Sequence, residues 1–154
     1  FEDKMDVLRY IFQDTKRQYQ DFCRETLVDS GGDFWKMVEE LFHQVLYRDY
    51  SGRLARLFQN VLTYAEAEKF VKILRESGGD GKKMDEWMYE QVDKSQLRIE
   101  SLEEFRVLIE MCMLAILMAF AQRYKDKESI ESVEWSFFRK MDFLKNGVLK
   151  HKES

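Results

Sequence analysis

The sequence predicts an all-α fold, and three observations support this. Proline, the strongest helix breaker, is absent from the 154 residues. Apolar residues recur at three- and four-residue intervals, and no segment alternates apolar and polar residues over the length of a strand. Residues 107–121 carry a single charge, at Glu110, so a helix there is apolar nearly all round. Such a helix must be buried on all sides or lie in lipid, and this run is shorter than the roughly 20 residues of a membrane span.

We therefore predict a single-domain bundle of six or seven helices packed around a central apolar helix at about 102–124. A chain of 154 residues is close to the commonest domain size, and its 45% hydrophobic and 35% charged residues are ordinary for a globular protein. The domain is expected to cover residues 1–150, followed by a disordered tail over 151–154. The start at Phe1, without a signal-like stretch, is typical of an excised domain.

The first helix is predicted over residues 3–27, where apolar residues follow the helical period. The sequence Asp-Ser-Gly-Gly at 29–32 ends it, and Asp33 is a suitable N-cap for the second helix. That helix carries a wide apolar stripe. The stripe consists of Phe34, Trp35, Val38, Leu41, Phe42, Val45 and Leu46.

The middle of the chain leaves two interpretations open. Residues 51–76 form either one helix or two, because Thr63 and Glu66 have the spacing of a capping box that would start a new helix. The glycine-rich residues 77–81 are predicted to be a loop, and a short helix around Trp87 follows.

Ser101 and Glu104 form a second capping box, which opens the apolar helix. That helix is expected to end near Tyr124, before a charged hinge over residues 123–128. A last helix follows, with apolar residues from Val133 to Val148.

Charge and cysteine content limit the partners and the compartment. The net charge is −4, and no basic stripe is present, so nucleic acid is not expected as a partner. Cys23 and Cys112 are far apart and outside any motif, which favours two reduced thiols in an intracellular, cytoplasmic protein. Membrane contact is not expected.

The sequence offers little for catalysis or metal binding. His43 and His151 are the only histidines, and a zinc site needs about four suitably spaced ligands. No acid, base and nucleophile set can be assembled. Glu110 shares a helical face with Glu103 and Arg106, which indicates a solvent-facing position. We therefore expect no enzymatic activity, no catalytic residues, no metal and no cofactor.

Aromatic residues give the main functional signal. Adjacent residues lie about 100° apart on a helix, so the pairs Phe34–Trp35 and Phe137–Phe138 cannot both point inward. Exposed aromatic side chains are typical of binding surfaces. We predict a non-catalytic domain that binds a partner protein, for example an amphipathic helix, or a second copy of itself. The predicted partner-binding residues are Trp35, Trp87, Trp135, Phe137 and Phe138.

Two alternatives remain. In the first, the domain carries a small apolar ligand or lipid between its helices, near the flexible side chains of Met111, Met113 and Met118. The second rests on a resemblance. Residues 34–42 (FWKMVEELF), followed by 52–58 (GRLARLF) and then Trp87 with Met88, resemble a segment of the Bcl-2-type apoptosis regulators. That resemblance implies a helical bundle with a groove for an amphipathic helix, although the apolar helix of this chain lies some fifty residues after Gly52.

Overall fold

The computed structural model describes residues 4–47 and 79–150 of the chain. Within these ranges it contains five α-helices, one short 3-10 helix and no strand, which confirms the all-α prediction. The α-helices are α1 (Lys4–Asp29), α2 (Phe34–Tyr47), α3 (Gly79–Gln91), α4 (Leu102–Tyr124) and α5 (Ile130–Asn146), and the 3-10 helix is Lys94–Gln96. The predicted capping box at Thr63 and the question of one helix or two over 51–76 lie outside the described residues. The predicted total of six or seven helices also depends on that segment.

The connection between α1 and α2 follows the sequence prediction. Gly31 and Gly32 adopt positive φ angles of 69° and 91°, a region that suits glycine because it has no Cβ. The Asp33 carboxylate then accepts a hydrogen bond from the backbone N–H of Lys36 at 3.1 Å, so Asp33 caps α2 as expected.

The prediction of a loop over residues 77–81 is wrong in part, because α3 already begins at Gly79. Glycine has a low helix propensity, and this suggested a break in the chain. At the start of a helix, however, the cost is smaller, since glycine is accepted at N-terminal positions. The composition of the segment therefore marked the helix boundary three residues too late.

The bounds predicted for the apolar helix agree with α4. Ser101 caps it by accepting a hydrogen bond from the N–H of Glu104 at 3.2 Å. The Glu104 carboxylate reaches back and accepts a hydrogen bond of 2.7 Å from the N–H of Glu100. The capping box is thus confirmed, with the return bond made one residue before the cap.

The amphipathic helix α2 lies among the other helices of the described structure. It runs parallel to α4, because Phe34 contacts Phe105 near the start of both helices and the Tyr124 hydroxyl donates a hydrogen bond of 3.2 Å to the Leu46 carbonyl near their ends. The apolar face of α2 is almost entirely buried. Its buried residues are Phe34, Met37, Val38, Leu41, Phe42, Gln44, Val45 and Leu46.

Helix α5 runs antiparallel to α2. Phe42 of α2 stacks on Phe137 in the middle of α5, and Trp35 near the start of α2 lies under the Lys145 ammonium near the end of α5. Helix α5 also packs along α4 and follows it after a short turn. The two helices α4 and α5 therefore form an antiparallel pair on one side of α2.

The prediction that α4 is buried on all sides is wrong. One side of the helix packs on the core through Phe105, Cys112, Ile116 and Phe120, but the opposite side is open to solvent. Val107 is 57% exposed and Met118 is 51% exposed. Among the described helices α2 buries the larger share of its residues, eight of fourteen against six of twenty-three for α4, so the second apolar side of α4 requires another explanation.

Candidate functional site

A row of apolar side chains on α4 faces solvent. It consists of Val107, Met111, Leu114 and Met118, all of them exposed, and we call it the α4 strip. The spacing of four, three and four residues keeps these side chains on one side of the helix. Single exposed apolar residues are ordinary on protein surfaces, whereas a contiguous row of this kind indicates a binding surface.

The α4 strip continues into an open groove between α4 and α5, with a volume of about 510 Å³. Both walls are mostly apolar. The groove is lined by Met111, Leu114, Ala115 and Met118 on one side and by Lys140, Phe143, Leu144 and Val148 on the other. The Lys140 ammonium, which donates a hydrogen bond of 3.1 Å to the Ser136 hydroxyl, is the charged group among these lining residues.

The shape and chemistry of this face suit an extended partner better than a small molecule. The groove is open along its length, whereas small-molecule sites are usually concave and enclose most of the ligand. Its lining brings together no set of groups for acid–base or nucleophilic chemistry. The face can therefore exclude water against another apolar surface.

The predicted partner-binding aromatics do not form one surface. Trp35 is half-buried, packs edge-to-face on Phe34 with ring centroids 5.2 Å apart, and lies 5.4 Å below the Lys145 ammonium. Trp87 is half-buried on α3 and packs against the core. Trp135 is 70% exposed on α5.

The neighbouring residues Phe137 and Phe138 differ in burial, as the prediction for adjacent aromatics requires. Phe138 is half-buried, and Phe137 is completely buried against Phe42. Phe137 therefore lies in the core of this chain and does not line an open surface. That a partner contacts Trp35, Trp87, Trp135 or Phe138 stays a prediction.

The α4 strip was missed from the sequence, although its spacing was visible there. The residues that α4 buries repeat with the same helical period on the opposite side, so neither side stands out. The same arrangement overturns the idea of an interior ligand site at the methionines, because Met111, Met113 and Met118 are exposed. Glu110 is exposed as predicted.

The cysteines and the acidic residues do not form a reactive or metal-binding centre in the part of the chain that the structure describes. Cys23 and Cys112 are both free and buried, and burial raises the pKa of each thiol to about 12. Over residues 4–47 and 79–150, no three His, Cys, Asp or Glu residues cluster in a way that could hold a metal ion. None of the described helices combines the length and the hydropathy needed to cross a membrane.

Comparison with known families identifies the class of domain. Residues 33–148 match the family described as the tetracyclin repressor-like C-terminal domain, and this match begins at the N-cap of α2 and ends just after α5. The match covers well over half of the chain, and the chain belongs to this family. Neither the comparison with curated proteins nor that with solved structures found a match.

This family corrects three expectations drawn from the sequence. The domain is not a generic protein-interaction module, and the resemblance to Bcl-2-type regulators does not describe it, because the matched family consists of the C-terminal domains of repressor-like proteins. The exclusion of nucleic acid as a partner is also wrong for the protein as a whole, since a repressor acts on DNA. The sequence lacks a basic stripe, but this observation concerns the present domain only. It does not show what other parts of a repressor bind.

Proposed function

We propose that this domain is the dimerisation and ligand-sensing region of a transcriptional regulator, and that the face formed by α4 and α5 joins two copies. The observation that carries the proposal is the exposed α4 strip together with the groove beside it. The centre of a homodimer interface is more apolar than the rest of the surface and is enriched in methionine and aromatic residues. Met111, Met118 and Phe143 match that composition.

The family supports the wider regulatory role. C-terminal domains of this kind typically bind a ligand and dimerise, while the DNA contact is made by an N-terminal domain. In such a protein the C-terminal domain sets the distance between two DNA-binding units, so that the spacing of two half-sites follows from the dimer. On this proposal the domain has a non-enzymatic role, and the regulator lies in the cytoplasm together with the DNA that it controls.

The test of dimerisation is the mass of the domain in solution. We expect sedimentation or light scattering to give twice the 18.6 kDa of one chain. Leu114→Glu places a charge in the centre of the face and should give monomers, because an unpaired charge buried in an interface costs several kcal/mol. The helical circular dichroism spectrum should stay unchanged, since Leu114 is exposed within one copy.

A matched control shows whether loss of the dimer is specific to the proposed interface or follows from adding a charge to any exposed apolar position. Val28 on α1 is 60% exposed and lies outside the α4–α5 face, so Val28→Glu makes the same kind of change elsewhere and should leave the dimer intact. A wild-type domain that is monomeric at about 100 μM, or a Leu114→Glu variant that dimerises as well as wild type, would overturn the proposal.

A further inference from the structure

We propose that Gln44 recognises the ligand of this domain, and that the ligand is an uncharged, largely apolar molecule whose amide group pairs with the Gln44 side chain. This inference rests on the ligand-sensing part of the proposed function and gives the ligand a chemical class. It concerns the core of the domain and is independent of the α4–α5 face.

Gln44 is the polar exception among the residues that the structure describes as buried. Its exposed fraction is 3%, and the other buried residues over 4–47 and 79–150 are apolar. A glutamine side chain carries an acceptor oxygen and two N–H donors, and such groups are nearly always hydrogen-bonded when they are buried. Within the described ranges, however, the Gln44 side chain makes no hydrogen bond. Its amide can therefore pair with a molecule that enters the core.

Gln44 lies on the side of α2 that faces away from α5. It follows Met37 and Leu41 by seven and three residues, so these three buried side chains share one side of the helix. Phe42, which stacks on Phe137 of α5, points in a direction about 160° away. A ligand that pairs with Gln44 would therefore lie beside Met37 and Leu41, on the opposite side of α2 from α5.

The composition of the core favours an uncharged ligand. The buried residues of the described ranges include no Lys, Arg, His, Asp or Glu, so a charged ligand would find no opposite charge among them. A charge in an apolar interior is costly unless it is paired. Cys23 of the same core shows this effect, because burial disfavours its thiolate and raises its pKa to about 12. An apolar molecule with one uncharged polar group meets these conditions.

The amide of Gln44 also selects the polar group of the ligand. Its oxygen and its N–H lie side by side in one plane, so a lactam or carboxamide, which presents a donor beside an acceptor, can form two hydrogen bonds at once. A ketone has no N–H and leaves the Gln44 oxygen unpaired, and a hydrocarbon leaves both groups unpaired. An unpaired buried polar group weakens binding. The contribution of Gln44 should therefore be largest for an amide, smaller for a ketone and absent for a hydrocarbon.

The stability of the chain without ligand gives the first test. Gln44→Met keeps the length of the side chain and removes the amide, so it should raise the melting temperature by about 3–6 °C at equal protein concentration. Gln18→Met makes the same change at an exposed position of α1 and should shift the melting temperature by less than about 2 °C. A lower or unchanged melting temperature for Gln44→Met would overturn the proposal, because the amide would then already be paired inside the domain.

Three rings of nearly equal size test the ligand class. Caprolactam offers a donor beside an acceptor, cycloheptanone offers an acceptor alone, and cycloheptane offers neither. Their absolute affinities also depend on the hydration of each ring, so the informative quantity is the effect of Gln44→Met on each affinity in NMR titrations of the whole chain. The substitution should weaken caprolactam binding about tenfold and leave cycloheptane binding unchanged, whereas Gln18→Met should bind all three rings like wild type. In wild type, caprolactam should also shift the side-chain NH₂ signal of Gln44.

The outcomes for Gln44 and for the proposed function are distinct. A loss of affinity confined to caprolactam and to Gln44→Met, together with the raised melting temperature, would establish the recognition by Gln44. Rings that bind wild type and Gln44→Met equally well would overturn the role of Gln44 while ligand sensing stands. Binding of none of the three rings would overturn this ligand class. The mass of the domain in solution depends on neither result, so dimerisation is tested separately.

Discussion

Phe42 of α2 and Phe137 of α5 stack with their ring planes 6° apart and their centroids 3.9 Å apart. Both side chains are completely buried. Phe138 packs on Phe42 edge-to-face, with centroids 5.4 Å apart, so α5 is held to α2 by an aromatic cluster. Since the same helix α5 forms one wall of the groove beside the α4 strip, this cluster fixes the geometry of the proposed interface.

Phe137→Ala should lower the free energy of unfolding by about 3–5 kcal/mol, because it removes a buried ring and leaves a cavity. Urea denaturation followed by circular dichroism measures this change. Trp135→Ala, two residues away on the exposed side of α5, is the control and should alter stability by less than about 0.5 kcal/mol. Equal losses in both variants would contradict the assignment of Phe137 to the core.

Gly32→Ala should be the more damaging of two neighbouring glycine substitutions. A Cβ at Gly32 would lie 2.9 Å from the Asp93 nitrogen and would also clash with the Gln91 carbonyl oxygen, and the Gly32 carbonyl accepts a 2.8 Å hydrogen bond from that same nitrogen. A Cβ at Gly31 would meet nothing within 4 Å, so Gly31→Ala costs only the about 1–2 kcal/mol of a left-handed backbone.

The melting temperatures of these two variants give the comparison. Each kcal/mol corresponds to about 2–4 °C in a domain of this size. We expect a clearly larger drop for Gly32→Ala. A smaller or equal drop would show that the turn between α1 and α2 does not rest closely on the end of α3.

Ser101→Ala should destabilise the domain by about 1 kcal/mol, because the N–H of Glu104 loses its acceptor at the start of α4. Ser132→Ala is the control on α5, where the hydroxyl caps no helix and the change should be nearly neutral. Chemical denaturation gives both values. If Ser101→Ala is as neutral as Ser132→Ala, the cap contributes nothing to stability.

Both thiols should be unreactive toward a thiol reagent at pH 8 while the domain is folded. Burial raises the pKa of Cys23 and of Cys112 to about 12, so almost no thiolate forms at that pH, and the side chains are covered. Labelling in urea should be rapid and should reach two thiols per chain. Fast labelling of either cysteine without denaturant would contradict its burial.

The same pKa shifts predict that alkaline pH destabilises the fold. A cysteine in an unfolded chain has a pKa near 8.5. Below that value both states keep the proton, and stability is unaffected. As the pH rises from about 9 toward 12, the unfolded chain loses protons that the folded chain retains, so the free energy of unfolding falls. The double variant Cys23→Ala/Cys112→Ala should show a smaller fall over this range.

Local features could be predicted from the sequence because each depends on neighbouring residues. The all-α class, the bounds of α4, the Ser101 cap and the Asp33 cap all follow from helical periodicity and from hydrogen bonds within one turn. The difference in burial between Phe137 and Phe138 could also be predicted, because adjacent residues on a helix point in directions about 100° apart.

The site could not be predicted in the same way. Five aromatic residues were expected to bind a partner, yet Phe137 lies in the core, and the open apolar face is made by aliphatic and methionine side chains of α4. Aromatic and aliphatic residues serve a core and an interface equally well, so residue type does not separate the two roles.

The sequence by itself determined that this chain forms amphipathic helices and where α4 begins and ends. Only the tertiary structure decided how much of each helix is buried. Helix α4 is apolar nearly all round, so its own residues do not distinguish a side that packs inside the domain from one that faces outward. The packing of α2 against α1, α4 and α5 fills the core, and this leaves Val107, Met111, Leu114 and Met118 on the outside.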